Sequence, residues 1–235
     1  MYDRLAGWFH LLTPPVDYRD EAEEILGLLE LHVAGPLETV LELGSGGGNV
    51  ASHLSGRLQL TLSDVAPQML ALSRTLNPGL EHVEGDMREL RLDRVFDAVI
   101  AHDAVTYMRS EADLRAAFET AFVHLRPGGA AIFLPDWVRD DYQPRTEHGG
   151  VDDGGRGLRY LEWDRPVEPD GHTVATDYVI VTRDGDEVTV HHDVHTLGIF
   201  PRAVWLRLLA DAGFEAHRVS GDEGLDIFIG VRPVT

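Results

Sequence analysis

The 235-residue chain contains no cysteine and no lysine; all 20 of its basic residues are arginine. Without cysteine there are no disulfides, thiolate nucleophiles or Cys-ligated zinc or iron–sulfur centres. Without lysine there is no Schiff-base chemistry, no pyridoxal attachment and no P-loop, whose lysine reaches the phosphates. Long apolar runs are missing too: none reaches the roughly 18 residues that suggest a bilayer span. The first residues, MYDRLAGWFHLL, lack the basic region and small-residue cleavage site of a secretory leader. The expected location is cytoplasmic, with no membrane partner. Positive charge is scarce, with 40 acids against 20 bases and a formal net charge of −20. Such a surface repels phosphate backbones, so no nucleic acid is expected as partner. It neither requires nor forbids a homodimer.

What is present is an alternation of helix and strand patterns. DYRDEAEEILGLLELHV places Ala22, Ile25, Leu28, Leu29 and Val33 on one helical face. TVLEL, LQLTLSD, LEHVEGD, FDAVIAH and AAIFLPD read as five strands. Helices are expected between them in NVASHLSG, in APQMLALSRTLNPG and in SEADLRAAFETAFVHL, where Ser110 is the N-cap. Strands alternating with helices imply an α/β fold with a doubly wound, Rossmann-like parallel sheet. After Asp136 the pattern changes. RTEHGGVDDGGRG reads as a glycine-rich loop. Three strand-like runs follow (LRYLEWDR, TVATDYVIVTR and EVTVHHDVHTLGIF), joined by the turns EPDGH and DGD. PRAVWLRLLADAGF returns to helix, with Trp205, Leu208 and Leu209 on its inner face, and EAHRVSG and LDIFIGV close the chain as strands. Residues 1–235 thus form one domain, with 139–199 an inserted loop and antiparallel meander expected to cap a substrate.

The chemistry concentrates at VLELGSGGGN, where a buried-strand pattern carrying Glu42 runs into Gly44, Gly46, Gly47 and Gly48. Glycines between a strand and a helix let backbone N–H groups approach a ligand. Gly46, Gly48 and Ala51 satisfy the dinucleotide pattern, so an NAD(P)-dependent oxidoreductase stands as the alternative. Glu42 argues the other way. A carboxylate two residues before the first glycine repels a pyrophosphate but suits a cofactor with an ammonium, such as S-adenosyl-L-methionine.

LELGSGGG, the acid Asp64 ending the second strand, EGDMREL after the third and LRPGG before the fifth occur in order over Val40–Asp136. In these motifs the chain resembles the class I S-adenosylmethionine-dependent methyltransferases. MYDRLA, DYRDEAEEIL and VHHDVHTLGIF extend the likeness to the dTDP-amino-sugar N-methyltransferases. The resemblance implies a seven-stranded sheet of order 3-2-1-4-5-7-6, with strand seven antiparallel. It also implies methyl transfer to a small-molecule acceptor, an amine ahead of a hydroxyl. In cofactor binding it implies Gly44, Gly46 and Gly48 along the methionine and ribose, and Glu42 near the amino group. Asp64 would take the ribose hydroxyls, and Val65 and Met69 would pack on adenine. Asp86 would meet the adenine amino group, Met87 would cover the ring, Ala101 and His102 would face the methionine arm, and Tyr18 would act as a lid. Asp64 also suits a helix N-cap, and Asp86 an ordinary turn.

For catalysis the candidates are His102, Tyr107 and His195; Tyr107 stands where the amino-sugar enzymes carry a histidine. For the acceptor they are Asp103, Tyr160, Trp163, His191 and His192. His191, Asp193 and His195 share one strand face in metal-ligand style, but meander strands rich in Thr, Val and His are common and no metal is expected.

Overall fold

The computed structural model describes residues 2–221 and 224–234. Its strands are β1 (Thr39–Leu43), β2 (Gln59–Asp64), β3 (Glu81–Glu84), β4 (Phe96–His102) and β5 (Leu125–Leu134). These are followed by β6 (Thr146–Asp153), β7 (Arg156–Asp164), β8 (Thr173–Asp184) and β9 (Glu187–Gly198), then β10 (Glu215–Ser220) and β11 (Asp226–Val231). The helices are α1 (Phe9–Leu12), α2 (Arg19–His32), α3 (Asn49–Leu54), α4 (Pro67–Leu76), α5 (Glu111–Val123) and α6 (Arg202–Asp211).

The main sheet has the order β3-β2-β1-β4-β5-β11-β10. β1 to β5 run parallel, and β11 lies antiparallel to β5. This is the 3-2-1-4-5-7-6 order expected from the sequence. The central parallel strands are largely apolar because helices cover both faces, whereas the edge strand β3, Glu81–Glu84, is mostly polar. On one face α2 buries Ala22, Ile25, Leu26 and Leu29 against Val40, Leu60 and Ile132. Leu26, rather than the expected Leu28, completes that face, and Leu28 is only partly buried. On the other face α5 and α6 bring Phe118 and Trp205 onto Phe133 and Phe228. The Trp205 and Phe228 rings stack at 4.7 Å, and Leu208 and Leu209 are fully buried beside them. Each such side chain contributes about 1.5–3 kcal/mol of burial.

Ser110 caps α5 by accepting from the Asp113 N–H at 3.1 Å, as its sequence position predicts. β5 begins at Leu125 and so includes Arg126–Gly129, with an irregular register against β4 between Phe96 and Ala98.

The segment after β5 forms a second, four-stranded antiparallel sheet of order β6-β7-β8-β9. The stretch read as a glycine-rich loop is β6, turning back through Gly154 and Gly155 so that Asp153 pairs with Arg156. Its glycines have a packing reason. Gly149 pairs with Tyr160, and a Cβ on Gly149 would lie 2.7 Å from the Tyr160 ring. The bare backbone lets the aromatic ring cover it.

A cavity shared by both sheets

A cavity of about 760 Å³ opens where the C-terminal ends of β1, β2 and β4 meet the glycine loop, roofed by β7, β8 and β9. A doubly wound sheet places its ligands at this edge, where the strand order reverses between β1 and β4.

At the main-sheet end stands Glu42, 3 % exposed, whose Oε2 has no hydrogen-bond partner among the described residues. Burial pushes its carboxyl up to about 8, helped by Asp64 and opposed by the charge on His102. A buried carboxylate without a partner is costly, so the site calls for a cation. The adjacent loop is shaped for close approach. Gly44 has φ +72°, and a Cβ there would meet Ala104 Cβ at 2.3 Å, so only glycine fits. At Gly46 a Cβ would meet nothing nearer than 3.9 Å, which leaves that backbone open to the cavity. Asp64 Oδ2 accepts from Gly46 N–H and Oδ1 from Ala66 N–H, both at 2.8 Å. It braces the loop and the turn into α4, whose N-cap is Ala66 and not Asp64, while each oxygen keeps a lone pair for a ligand. The residues present suit S-adenosylmethionine: an orphaned carboxylate oxygen for an ammonium, an open glycine backbone, and an acid for a diol.

Asp86 also lines the cavity, held by Arg88 at 2.6 Å, and the Arg88 guanidinium keeps its carboxyl below the usual range. Met69 and Met87 are buried in the wall, and Val65 sits exposed at the edge. The N-terminal segment closes this end. His10 Nε2 lies 3.1 Å from Gly47 O, and Asn49 Nδ2 donates to Thr13 O at 3.0 Å. Tyr18 meets His102 edge-to-face at 5.9 Å.

The other end holds a chain of hydroxyls and an imidazole. Tyr2 Oη lies 2.8 Å from Tyr107 Oη, which lies 2.7 Å from His195 Nδ1. Asp193 Oδ2 is 3.7 Å from His195 Nε2. Burial pushes the His195 imidazole down, against the nearby charge of Asp193. Asp103 and Asp136, at the ends of β4 and β5, hydrogen-bond to each other, and Thr106 Oγ1 donates to Asp136 Oδ2 at 3.0 Å. Burial raises both carboxyls; the charge of Asp103 raises Asp136 further. Asp103 has φ +46°, a strained conformation for a non-glycine residue.

Several expected site residues are engaged by neighbours or stand elsewhere. His102 lines the cavity, but Glu21 Oε1 at 2.7 Å and Asp103 Oδ1 at 3.0 Å hold its imidazole. Burial opposes its charge, yet Asp103, Glu21 and Asp136 raise the imidazole to about 10. At neutral pH it is an imidazolium with no lone pair for a proton. Ala101 is core, and Gly48 faces Ser73 and Asn77 rather than the cavity. Trp163 is 59 % exposed and His192 pairs with Asp177 at 2.9 Å; neither lines the cavity, because alternation turns both to the outer face of the small sheet. His191 faces Thr182 at 3.2 Å and does not converge with Asp193 and His195 on the cavity. Tyr160 does line it, with Glu162 and Tyr178.

Tyr2, Asp136, Glu162 and Tyr178 escaped sequence reasoning. Asp136 carried the available signal, an acid just beyond a parallel strand like Asp64. The others depend on how the small sheet folds back.

A methyltransferase-domain family profile matches residues 40–129. The chain is 26 % identical over 219 residues, 92 % of its length and 85 % of the relative's, to a dTDP-3-amino-3,6-dideoxy-alpha-D-glucopyranose N,N-dimethyltransferase of Streptomyces fradiae. Its fold matches Streptomyces venezuelae DesVI at TM-score 0.85, with 24 % identity and 92 % of each chain covered. It also matches CalS10, an amino pentose methyltransferase from Micromonospora echinaspora with S-adenosylmethionine bound, at TM-score 0.81 and 25 % identity, covering 92 % of this chain and 91 % of that one. These likenesses, with the orphaned Glu42 carboxylate where a dinucleotide's phosphates would lie, overturn the oxidoreductase alternative. The chain is an S-adenosylmethionine-dependent methyltransferase similar to the class I enzymes, with S-adenosylmethionine as its methyl donor.

Proposed function

We propose that the enzyme methylates the nitrogen of a small-molecule amine, an amino sugar being the class suggested by the names of its relatives. The observation that carries this is the Tyr107–His195 contact of 2.7 Å in the cavity, with Asp193 behind the imidazole. S-adenosylmethionine supplies an electrophilic methyl on a sulfonium. Glu42 receives its ammonium, Asp64 its ribose, and Gly44 and Gly46 let its chain lie against the backbone. The residues 146–198 cap the acceptor with Tyr160 and Tyr178 and exclude water. The acceptor nitrogen forms its bond to carbon as the carbon–sulfur bond breaks, with that electron pair staying on sulfur. The proton shed passes to His195, which burial keeps neutral, and Asp193 stabilises the imidazolium that results. An amine needs no stronger base than this, whereas a hydroxyl does. An amino sugar offers both nucleophiles on one molecule. NMR of the product decides: a methyl on nitrogen supports the reading, and a methyl on oxygen overturns it.

A further inference from the structure

The small sheet carries apolar side chains on both faces. Its inner face turns Tyr160, Tyr178 and His195 to the cavity. On its outer face Trp163, Val188, Val190 and Val194 are 42 to 66 % exposed. The strand register sets Leu161, Val179 and Val181, half-buried, among them. None of these seven joins a packed apolar cluster of the described residues. Val179, Ile180 and Val181 are consecutive in β8, so that strand is apolar to either side. An antiparallel sheet with one wet face alternates apolar with polar residues instead. Contiguous exposed apolar surface of this kind marks a contact site.

Charge selects the occupant. The chain has a formal net charge of −20, yet the ionic groups of this face pair among themselves. Arg159 and Arg183 hold Asp152 at 2.5 and 3.2 Å, and Arg165 holds Asp177 at 2.6 Å. His192 adds to Asp177 at 2.9 Å. The acidic excess therefore lies elsewhere on the molecule, where it repels anionic membranes and nucleic acids. We propose that the outer face is the contact between two copies of this chain, set back to back about a two-fold axis. A two-fold contact joins one patch to itself, so apolar rows meet apolar rows. Each charged group brings its own partner, and the acidic surfaces point apart. A second copy has the neutral apolar face that any other protein would have to supply. β8 and β9, 12 residues each, make the face long enough to stack as a sheet-on-sheet layer about 10 Å apart. Trp163, which does not line the cavity, becomes an aromatic anchor of the kind interfaces favour. The dimer then backs the sheet that roofs the acceptor end.

Analytical ultracentrifugation of the full chain tests this. The wild type should sediment as a dimer. Val190→Glu and, separately, Trp163→Glu should each raise the dimer dissociation constant at least about 30-fold. Both variants should still bind S-adenosylhomocysteine by calorimetry, which shows that they fold; Val188→Glu replaces either one that does not. Leu31→Glu, at an exposed position of α2, should leave the dimer intact. A monomeric wild type overturns the proposal and leaves the face to a different protein. A dimer that survives the folded variants places the contact elsewhere and overturns it as well. Loss of the dimer in Leu31→Glu, with the sheet variants unaffected, assigns the contact to α2 and has the same consequence.

Discussion

Glu21, in the first turn of α2, reaches across to His102 at the end of β4, with Oε1 and Nε2 2.7 Å apart. The bond ties a helix from the N-terminal segment to the C-terminal edge of the sheet. It also fixes a positive charge beneath the cavity floor, opposite the orphaned Glu42. His102 is raised from 6.5 to about 10, against its own burial, by Asp103, Glu21 and Asp136. A histidine raised on folding contributes stability that is fully present below about 6.5 and lost as pH rises through about 10. Glu21→Gln should therefore destabilise the protein at neutral pH by about 3 kcal/mol, the usual cost of breaking a buried pair. It should also flatten the fall in stability between pH 7 and 10. Urea melts across that range read both effects; unchanged melts would show that the pair does not hold charge.

Glu42 has the same sign with pH but, unlike His102, destabilises the fold. Its carboxyl is pushed up to about 8, so between pH 4.5 and 8 the folded protein binds a proton the unfolded chain has lost. Stability from this group falls as pH rises through that window. Glu42→Gln should raise the stability of the ligand-free protein at pH 7 by about 2 kcal/mol, while weakening S-adenosylmethionine about tenfold or more. Wild-type binding should release a proton near neutral pH, because the ligand's ammonium favours the ionised carboxylate. Calorimetry in two buffers of different ionisation heat detects that release, and the Gln variant should abolish it. Equal affinity in the two proteins would remove Glu42 from the cofactor site.

Why some of this was readable from sequence and some not follows from range. Glu42, the glycines and Asp64 lie within 23 positions, and their arrangement is set by one strand–loop–helix–strand unit whose periodicity is plain. The sheet order came from the family resemblance that these motifs carry. The acceptor end depends on contacts across long separations: Tyr107 and His195 are 88 residues apart, and His102 and Glu21 are 81. No local pattern encodes them. β6 was illegible for a different reason. His148-Gly149-Gly150 has low strand propensity, and what makes it a strand is Tyr160 lying across its bare backbone. Trp163 and His192 were misplaced because a strand's two faces look alike in sequence when both carry aromatic and polar residues.

The Tyr107–His195 contact gives a pH signature. Burial holds the imidazole below its ordinary 6.5, so the acid limb of kcat should lie below that value. His195→Gln should lower kcat by about 10- to 100-fold and erase the limb. Tyr107→Phe, which removes the hydroxyl 2.7 Å from Nδ1, should lower kcat less and move the limb. Neither should change the affinity for S-adenosylhomocysteine, whose proposed place beside Glu42 and Asp64 is at the other end of the cavity. Stopped-assay pH profiles of the three proteins decide the matter; a limb that survives in the Gln variant belongs to another group.

Gly149 tests whether the small sheet shapes the acceptor end. A Cβ at this position would press on the Tyr160 ring at 2.7 Å, with the phenol oxygen 2.9 Å away. The ring is the flexible partner, so it must move, and a shift of the ring changes the wall of the cavity that it lines. Gly149→Val should therefore raise the KM for the acceptor several-fold, as lost shape complementarity in a pocket does. The KM for S-adenosylmethionine should stay the same, because Glu42, Asp64 and the glycine loop are on the other sheet. The cost in stability should be about 1–3 kcal/mol, typical of overpacking. Gly149→Val with Tyr160→Leu removes the clash, and recovery of the melting temperature without recovery of acceptor KM would assign the loss to the tyrosine itself. A rise in both KM values from Gly149→Val alone would mean that the two sheets move as one body, and that the glycine positions the cavity as a whole.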